Sequence, residues 1–175
     1  MKKLLMLLVL GFALTSLQAQ ETKFGVRGGI GLSSLNFDQS TEFDNKDRLG
    51  AFFGGFADFG ISEKFSVMVE ANFSSEGAKD EPYQVDFIQV PVQIRFALSE
   101  DVKIGVGPQM SFVTWDRQDV LDQYAFSAIG GIELMVTDMF FLDFRYTYGF
   151  TNLIQVPADN EATNSSFQLG FGIKL

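Results

Sequence analysis

The feature that most constrains this chain is a two-residue alternation of apolar and polar side chains. It recurs in eight segments, 23–32, 49–59, 65–74, 88–97, 102–112, 124–136, 140–151 and 166–175. In the third segment Phe65, Val67, Val69, Ala71 and Phe73 alternate with Ser66, Met68, Glu70, Asn72 and Ser74. In the seventh, Phe140, Leu142, Phe144, Tyr146, Tyr148 and Phe150 alternate with Phe141, Asp143, Arg145, Thr147, Gly149 and Thr151. A helix would repeat its apolar positions every three or four residues, so the pattern specifies half-buried strands. Pro91 and Pro108 each remove a ladder donor within a segment, and bulges or weak pairing are expected there.

The connections alternate in length. Ser62-Glu63-Lys64, Ser99-Glu100-Asp101 and Thr137-Asp138 are tight turns, whereas 38–47, 77–84, 115–121 and 152–164 are longer and polar. Short turns at one end and long loops at the other are the layout of an outer-membrane barrel. An even strand count brings both ends of the sheet to the short-turn side. The expected fold is therefore all-β: a closed antiparallel up-and-down transmembrane β-barrel of about eight strands.

One face of every segment is almost wholly apolar. The other carries Arg27, Asp58, Glu70, Arg95, Lys103, Glu133, Asp143, Arg145 and Lys174, with Ser, Gln and Gly between them. A soluble, lipocalin-like barrel would turn that charged face to water. The charged face is also the glycine-rich one, however, and small residues belong on the crowded inside of a tight barrel. The charges nearly balance, as pairing in a confined lumen requires, since an unpaired buried charge costs several kcal/mol. Aromatics gather at two heights: Phe24, Phe59, Phe65, Phe96 and Phe140 toward the short turns, and Phe73, Phe112, Tyr124, Tyr148, Phe150 and Phe167 toward the long loops. Two such girdles suit the two interfaces of a bilayer. The expected location is the outer membrane, with outer-membrane lipid around the barrel and barrel-assembly machinery as the partner during biogenesis.

The N-terminus reads as an address. Lys2 and Lys3 precede an apolar run from Leu4 to Leu14, and the small, polar stretch ending at Ala19 follows. This is the layout of a secretory signal peptide over 1–19, leaving 20–175 as the barrel domain. Past this run no apolar stretch approaches the length of about eighteen residues that a membrane helix needs. The chain has 175 residues, net charge −9, no Cys and no His. Thiolate and disulfide chemistry are excluded, the usual general base is missing, and the acidic balance speaks against nucleic acid.

With these features in view, the chain resembles the PorT-like outer-membrane β-barrel family over its whole mature length. The resemblance is carried by Phe24-Gly25-Val26-Arg27-Gly28-Gly29, Phe87-Ile88-Gln89-Val90-Pro91-Val92, Ile104-Gly105-Val106-Gly107-Pro108 and Gly170-Phe171-Gly172-Ile173-Lys174-Leu175. It implies a barrel of the cell envelope, with a link to protein secretion for one family member. The final Leu175 departs from the aromatic that more often ends a barrel-assembly signal.

The first candidate chemistry is the inward charge set, with Glu133 and Arg145 as diagonal neighbours across the 137–138 turn and Asp143 beside them. It would serve either a gated or proton-linked pore or a structural salt-bridge network, and the narrow lumen of an eight-stranded barrel favours the network. The second is three acidic loop clusters: Asp38, Glu42, Asp44 and Asp47; Glu76, Asp80 and Glu81; and Asp116, Asp119 and Asp122. They would bridge Ca²⁺ or form a solvated rim; no Ca loop motif is present, and the rim is favoured. Trp115, beside Asp116, is either a partner contact or an interface anchor, with the anchor favoured. Asp44, Asp47, Trp115 and Asp116 are the loop positions expected to meet a protein partner. No catalytic set, cofactor or metal site is expected. The favoured function is a non-enzymatic structural, anchoring or docking barrel, and the alternatives are a narrow channel or a secretion-associated component.

Overall fold

The computed structural model describes residues 22–37, 47–79, 84–116, 123–153 and 162–175. The expected signal peptide lies outside them. Eight strands follow one another: β1 (Thr22–Phe37), β2 (Arg48–Gly60), β3 (Phe65–Gly77), β4 (Gln84–Ala97), β5 (Val102–Asp116), β6 (Tyr124–Met135), β7 (Phe140–Gly149) and β8 (Ala162–Lys174). Each pairs antiparallel with its sequence neighbours, and β1 pairs with β8 to close the barrel. The closing ladder runs from Gly25↔Lys174 to Phe37↔Ala162. Closure leaves no edge strand to template aggregation. A barrel sealed along its whole seam resists detergent until heated. The unboiled refolded protein is expected to run at a different mobility from the boiled one on an SDS gel; identical mobility would mean the seam does not hold.

The three short turns share one device. The Ser62 hydroxyl accepts from the Phe65 amide at 3.1 Å, Ser99 from Val102 at 3.2 Å, and Thr137 from Phe140 at 3.0 Å. A Ser or Thr at the turn's start thus satisfies the first amide of the next strand. At the other end β3 leaves the barrel through Gly77, whose φ of 98° favours glycine.

The strands are longer at the loop end than the alternation alone indicates. Trp115, expected in a loop, is a strand residue opposite Asp86, and Asp116 lies opposite Val85. Pairing weakens at both prolines, as expected, without a bulge at either. The β3–β4 ladder is interrupted between Val69↔Val92 and Asn72↔Gln89, the stretch that holds Pro91. The β4–β5 ladder is interrupted between Pro91↔Gln109 and Ile94↔Val106, yet the register is the same on both sides. The register shift falls instead between Asp86 and Phe87, where Thr114 is the extra residue. The Thr114 hydroxyl donates to the Asp86 carbonyl at 3.0 Å, tying the bulge to its partner strand.

The two faces are inverted relative to a water-soluble protein. Phe24, Val26, Ile30, Phe53, Ile94, Val106, Phe144, Leu169 and Phe171 stand on the exposed outside, while Arg27, Asp58, Glu70, Arg95, Glu133, Asp143 and Arg145 are buried inside. Outer rings lean on one another, as in Phe65–Phe96 at 4.9 Å, Phe140–Phe171 at 5.6 Å and Tyr146–Phe167 at 4.5 Å between ring centres.

Candidate functional site

The inside of the barrel is the chemically distinctive region, and all eight strands contribute to it. Toward the middle, Arg27 of β1 grips Asp143 of β7, with Nε donating to Oδ2 at 3.0 Å and Nη2 to Oδ1 at 2.6 Å. Arg145 donates to Glu70 of β3 at 2.5 Å and lies 3.3 Å from Asp143, while Arg27 lies 3.6 Å from Glu70. Two cations and two carboxylates thus form a neutral quartet that ties β1, β3 and β7 across the lumen. Nearer the short turns, Arg95 of β4 binds Asp58 of β2 at 2.9 Å and Glu133 of β6 at 2.6 Å. Lys174 of β8 donates to Glu133 at 2.5 Å, and Lys103 of β5 stands 3.6 Å from Asp58. This second cluster holds three cations against two carboxylates. Glu133 and Arg145 are diagonal in register, as expected, but Glu133 pairs with Arg95 and Lys174, and Arg145 with Glu70 and Asp143.

Glycines make the room for this packing. A Cβ on Gly170 would stand 2.7 Å from Asp143 Oδ1, and one on Gly131 would stand 2.7 Å from Arg145 Cγ. A Cβ on Gly25 or Gly172 would collide with the ring of Phe56 or Phe141. Those two rings meet edge to face at 5.7 Å and pack with Met68 as an apolar cluster among the lower ions. Lys174 lies 5.1 Å above the Phe141 ring, and Arg27 lies 4.3 Å above that of Phe52. At the loop end Leu35, Ala78, Val85, Phe87 and Leu153 close a second apolar cluster.

Glu76 requires a correction. The acidic cluster it was expected to form with Asp80 and Glu81 would place it on the solvated rim, but it is a buried, inward residue of β3. Its carboxylate accepts from Ser74 at 2.8 Å, Gln89 at 2.9 Å and Asn164 at 2.6 Å, a shell of neutral donors. Arg48 closes the same end by donating to the carbonyls of Glu76 at 2.5 Å and Val85 at 3.3 Å. The sequence signal for Glu76 was parity with Asn72 and Ser74, which continues the inward row of β3 by one more step.

Two inner cavities between these layers, among the described residues, are about 10 Å³ each, one beside Glu76, Phe87 and Gln109 and the other beside Gln93, Arg95 and Glu133. Each is at the threshold for a single water, so neither makes an aqueous path. Of the loop candidates, Asp47 is exposed and bridges to Ala78. Asp44 and the side chains of Trp115 and Asp116 lie outside the described residues, as do Asp38, Glu42, Asp80, Glu81, Asp119 and Asp122. Among the described residues no group of three or more acidic, His or Cys side chains is placed to hold a metal.

A closed eight-stranded barrel with an apolar exterior and a charged interior has only one solvent that suits its outside, the bilayer. The sequence match agrees: the outer membrane protein beta-barrel domain covers residues 4–174. The chain belongs to that family. Its location is accordingly the outer membrane, and family layout puts the short turns and the strand termini on the periplasmic side. No curated protein matches the chain in sequence. Among solved structures, neisserial surface protein A is similar in fold at a TM-score of 0.56 and 14% identity, covering 89% of this chain and 100% of that one. Ail, the attachment invasion locus protein of Yersinia pestis, is similar at a TM-score of 0.52 and 15% identity, with the same coverage. At these identities the likeness speaks to the family's barrel and not to a shared role. The family match is to the broad barrel domain, and the PorT-like resemblance stays with the strand motifs that suggested it.

Proposed function

We propose that this barrel is a closed, non-conducting and non-enzymatic envelope protein, whose wall anchors it in outer-membrane lipid and whose long loops dock a protein partner. The observation that supports this reading is the filled lumen. Two ion clusters span it, apolar clusters lie at both ends, and the cavities left between are water-sized. An ion crossing it would have to displace buried charge pairs that compensate one another, at several kcal/mol per ion. The chain offers no His or Cys for group transfer, and in the lumen Glu70, Glu133 and Asp143 are paired with cations while Glu76 is held by neutral donors. Work is then left to the outward surfaces, as in scaffolds whose rigid elements carry functional loops. Assembly would pass through the barrel-assembly machinery.

The test is electrical. Refolded protein in a planar bilayer is expected to give no unitary current steps, and neutralising Glu133 or Arg145 is expected to leave folded molecules silent. Steps of fixed size that change with Arg145→Gln would replace this reading with that of a narrow channel. Crosslinking from loop positions 44 and 47 would then seek the docked partner.

A further inference from the structure

The short-turn mouth is built differently from the rest of the lumen. It opens into a cavity of about 440 Å³, within the range of about 300–1,000 Å³ typical of small-ligand sites. Its charged and polar lining includes Lys23, Lys64 and Lys103 against Asp58 and Glu63, with Ser66 beside them. Lys23 lies opposite Asp58 in the β1–β2 register, and Lys103 reaches within 3.6 Å of Asp58 Oδ2. Three lysines thus converge on one mouth of a chain whose net charge is −9.

Two buried polar groups in the same wall are left with unused capacity. Asp58 is 3% exposed and Ser66 7% exposed, yet Asp58 Oδ1 and Ser66 Oγ make no hydrogen bond with any described residue. Buried oxygens of this kind ordinarily have a partner, so an orphaned pair lining a cavity marks a place for a ligand's polar atoms. The chemistry required is mixed. Lysine ammonium groups and the Ser66 hydroxyl call for an oxyanion. Asp58 Oδ1 only accepts, so it calls for an N–H or O–H donor close to that oxyanion.

We propose that the periplasmic mouth is a binding site for the free carboxylate end of a short peptide. The terminal carboxylate would sit among Lys103, Lys64 and Ser66, and the peptide N–H beside it would donate to Asp58 Oδ1. Hydrogenphosphate can supply an oxyanion and an O–H donor, but its second negative charge falls against Asp58. A peptide terminus supplies both within a few bonds. Entry is from the periplasm, and the site is independent of whatever the loops on the opposite side bind.

The refolded full chain in micelles would be titrated with N-acetyl-Ala-Ala, its C-terminal amide and inorganic phosphate, following the amide resonances of Lys64, Ser66 and Lys103. The free-carboxylate peptide is expected to give saturable shifts. Amidation is expected to weaken binding about tenfold, the worth of a charge-assisted hydrogen bond. Joint replacement Lys64→Gln and Lys103→Gln is expected to weaken it by about the same factor while the heat-dependent gel shift is retained. If the double variant loses that shift, Lys64→Gln alone carries the test, because Lys64 stands on an exposed turn. The proposal is overturned if no saturable shift appears, if the amide or phosphate binds as tightly as the acid, or if removing the lysines changes nothing.

Discussion

Replacing Glu70 with Gln is expected to cost the barrel about 3–5 kcal/mol, the penalty of stranding buried charge. Glu70 is 2% exposed and is the carboxylate shared by Arg145 at 2.5 Å and Arg27 at 3.6 Å. It also accepts from the Asn72 amide at 2.9 Å. The glutamine has the same shape but no charge, so two guanidinium groups are left facing Asp143 alone. Removing both sides of the pair, with Glu70→Met and Arg145→Met together, leaves the bidentate Arg27–Asp143 pair intact. That double change is expected to cost less than the single one, because apolar groups of similar volume can replace a buried ion pair at little cost. Urea unfolding of protein refolded into lipid vesicles, scored by gel mobility, measures both. A single-variant loss under about 1 kcal/mol would resemble an exposed ion pair and would mean that the lumen is wet rather than packed.

The wall of this barrel was readable in the sequence because every strand repeats the same physical instruction. A residue such as Leu169 or Ile94 is apolar, its neighbours in the chain are Gln168 and Gly170 or Gln93 and Arg95, and only one face can meet lipid. The turns were readable through Ser62, Ser99 and Thr137, whose hydroxyls do local work that does not depend on the rest of the fold. The trans-lumenal pairing was not readable. Which carboxylate meets Arg95 depends on how far the sheet staggers as it closes, so Glu133 on β6 wins over the adjacent-strand Glu70 through geometry absent from any one segment. The buried Phe56–Phe141 contact has the same origin. Paired aromatics such as Phe52-Phe53 and Phe140-Phe141 put one ring on each face, which the alternation does show. It does not show that Gly25 and Gly172, on different strands, leave the hollows that Phe56 and Phe141 fill. The strand ends beyond the alternation are not legible: at Glu76 the preceding Ser74 and Ser75 make both faces polar and mute the period, and before Trp115 the extra residue Thr114 breaks it.

Changing Leu169 to Arg is expected to destabilise the barrel by about 2–4 kcal/mol in a bilayer, the cost of a cation facing lipid near mid-depth. Leu169 is 56% exposed and stands between Ile30 of β1 and Phe144 of β7, both also exposed. In a water-soluble barrel the same position would be surface, where a substitution away from special features stays within about 0.5 kcal/mol. The two solvents therefore give costs of different size for one residue, and the difference does not depend on any detail of the lumen. The control is Leu32→Arg, toward the loop end of the same outer face, where the arginine head can reach the interface and the cost should fall to about 0–1 kcal/mol. A Leu169→Arg barrel as stable as the parent would mean that the aromatic and aliphatic exterior does not face acyl chains, whereas a cost graded with depth would identify the outer surface as the lipid-facing one by its energetics alone.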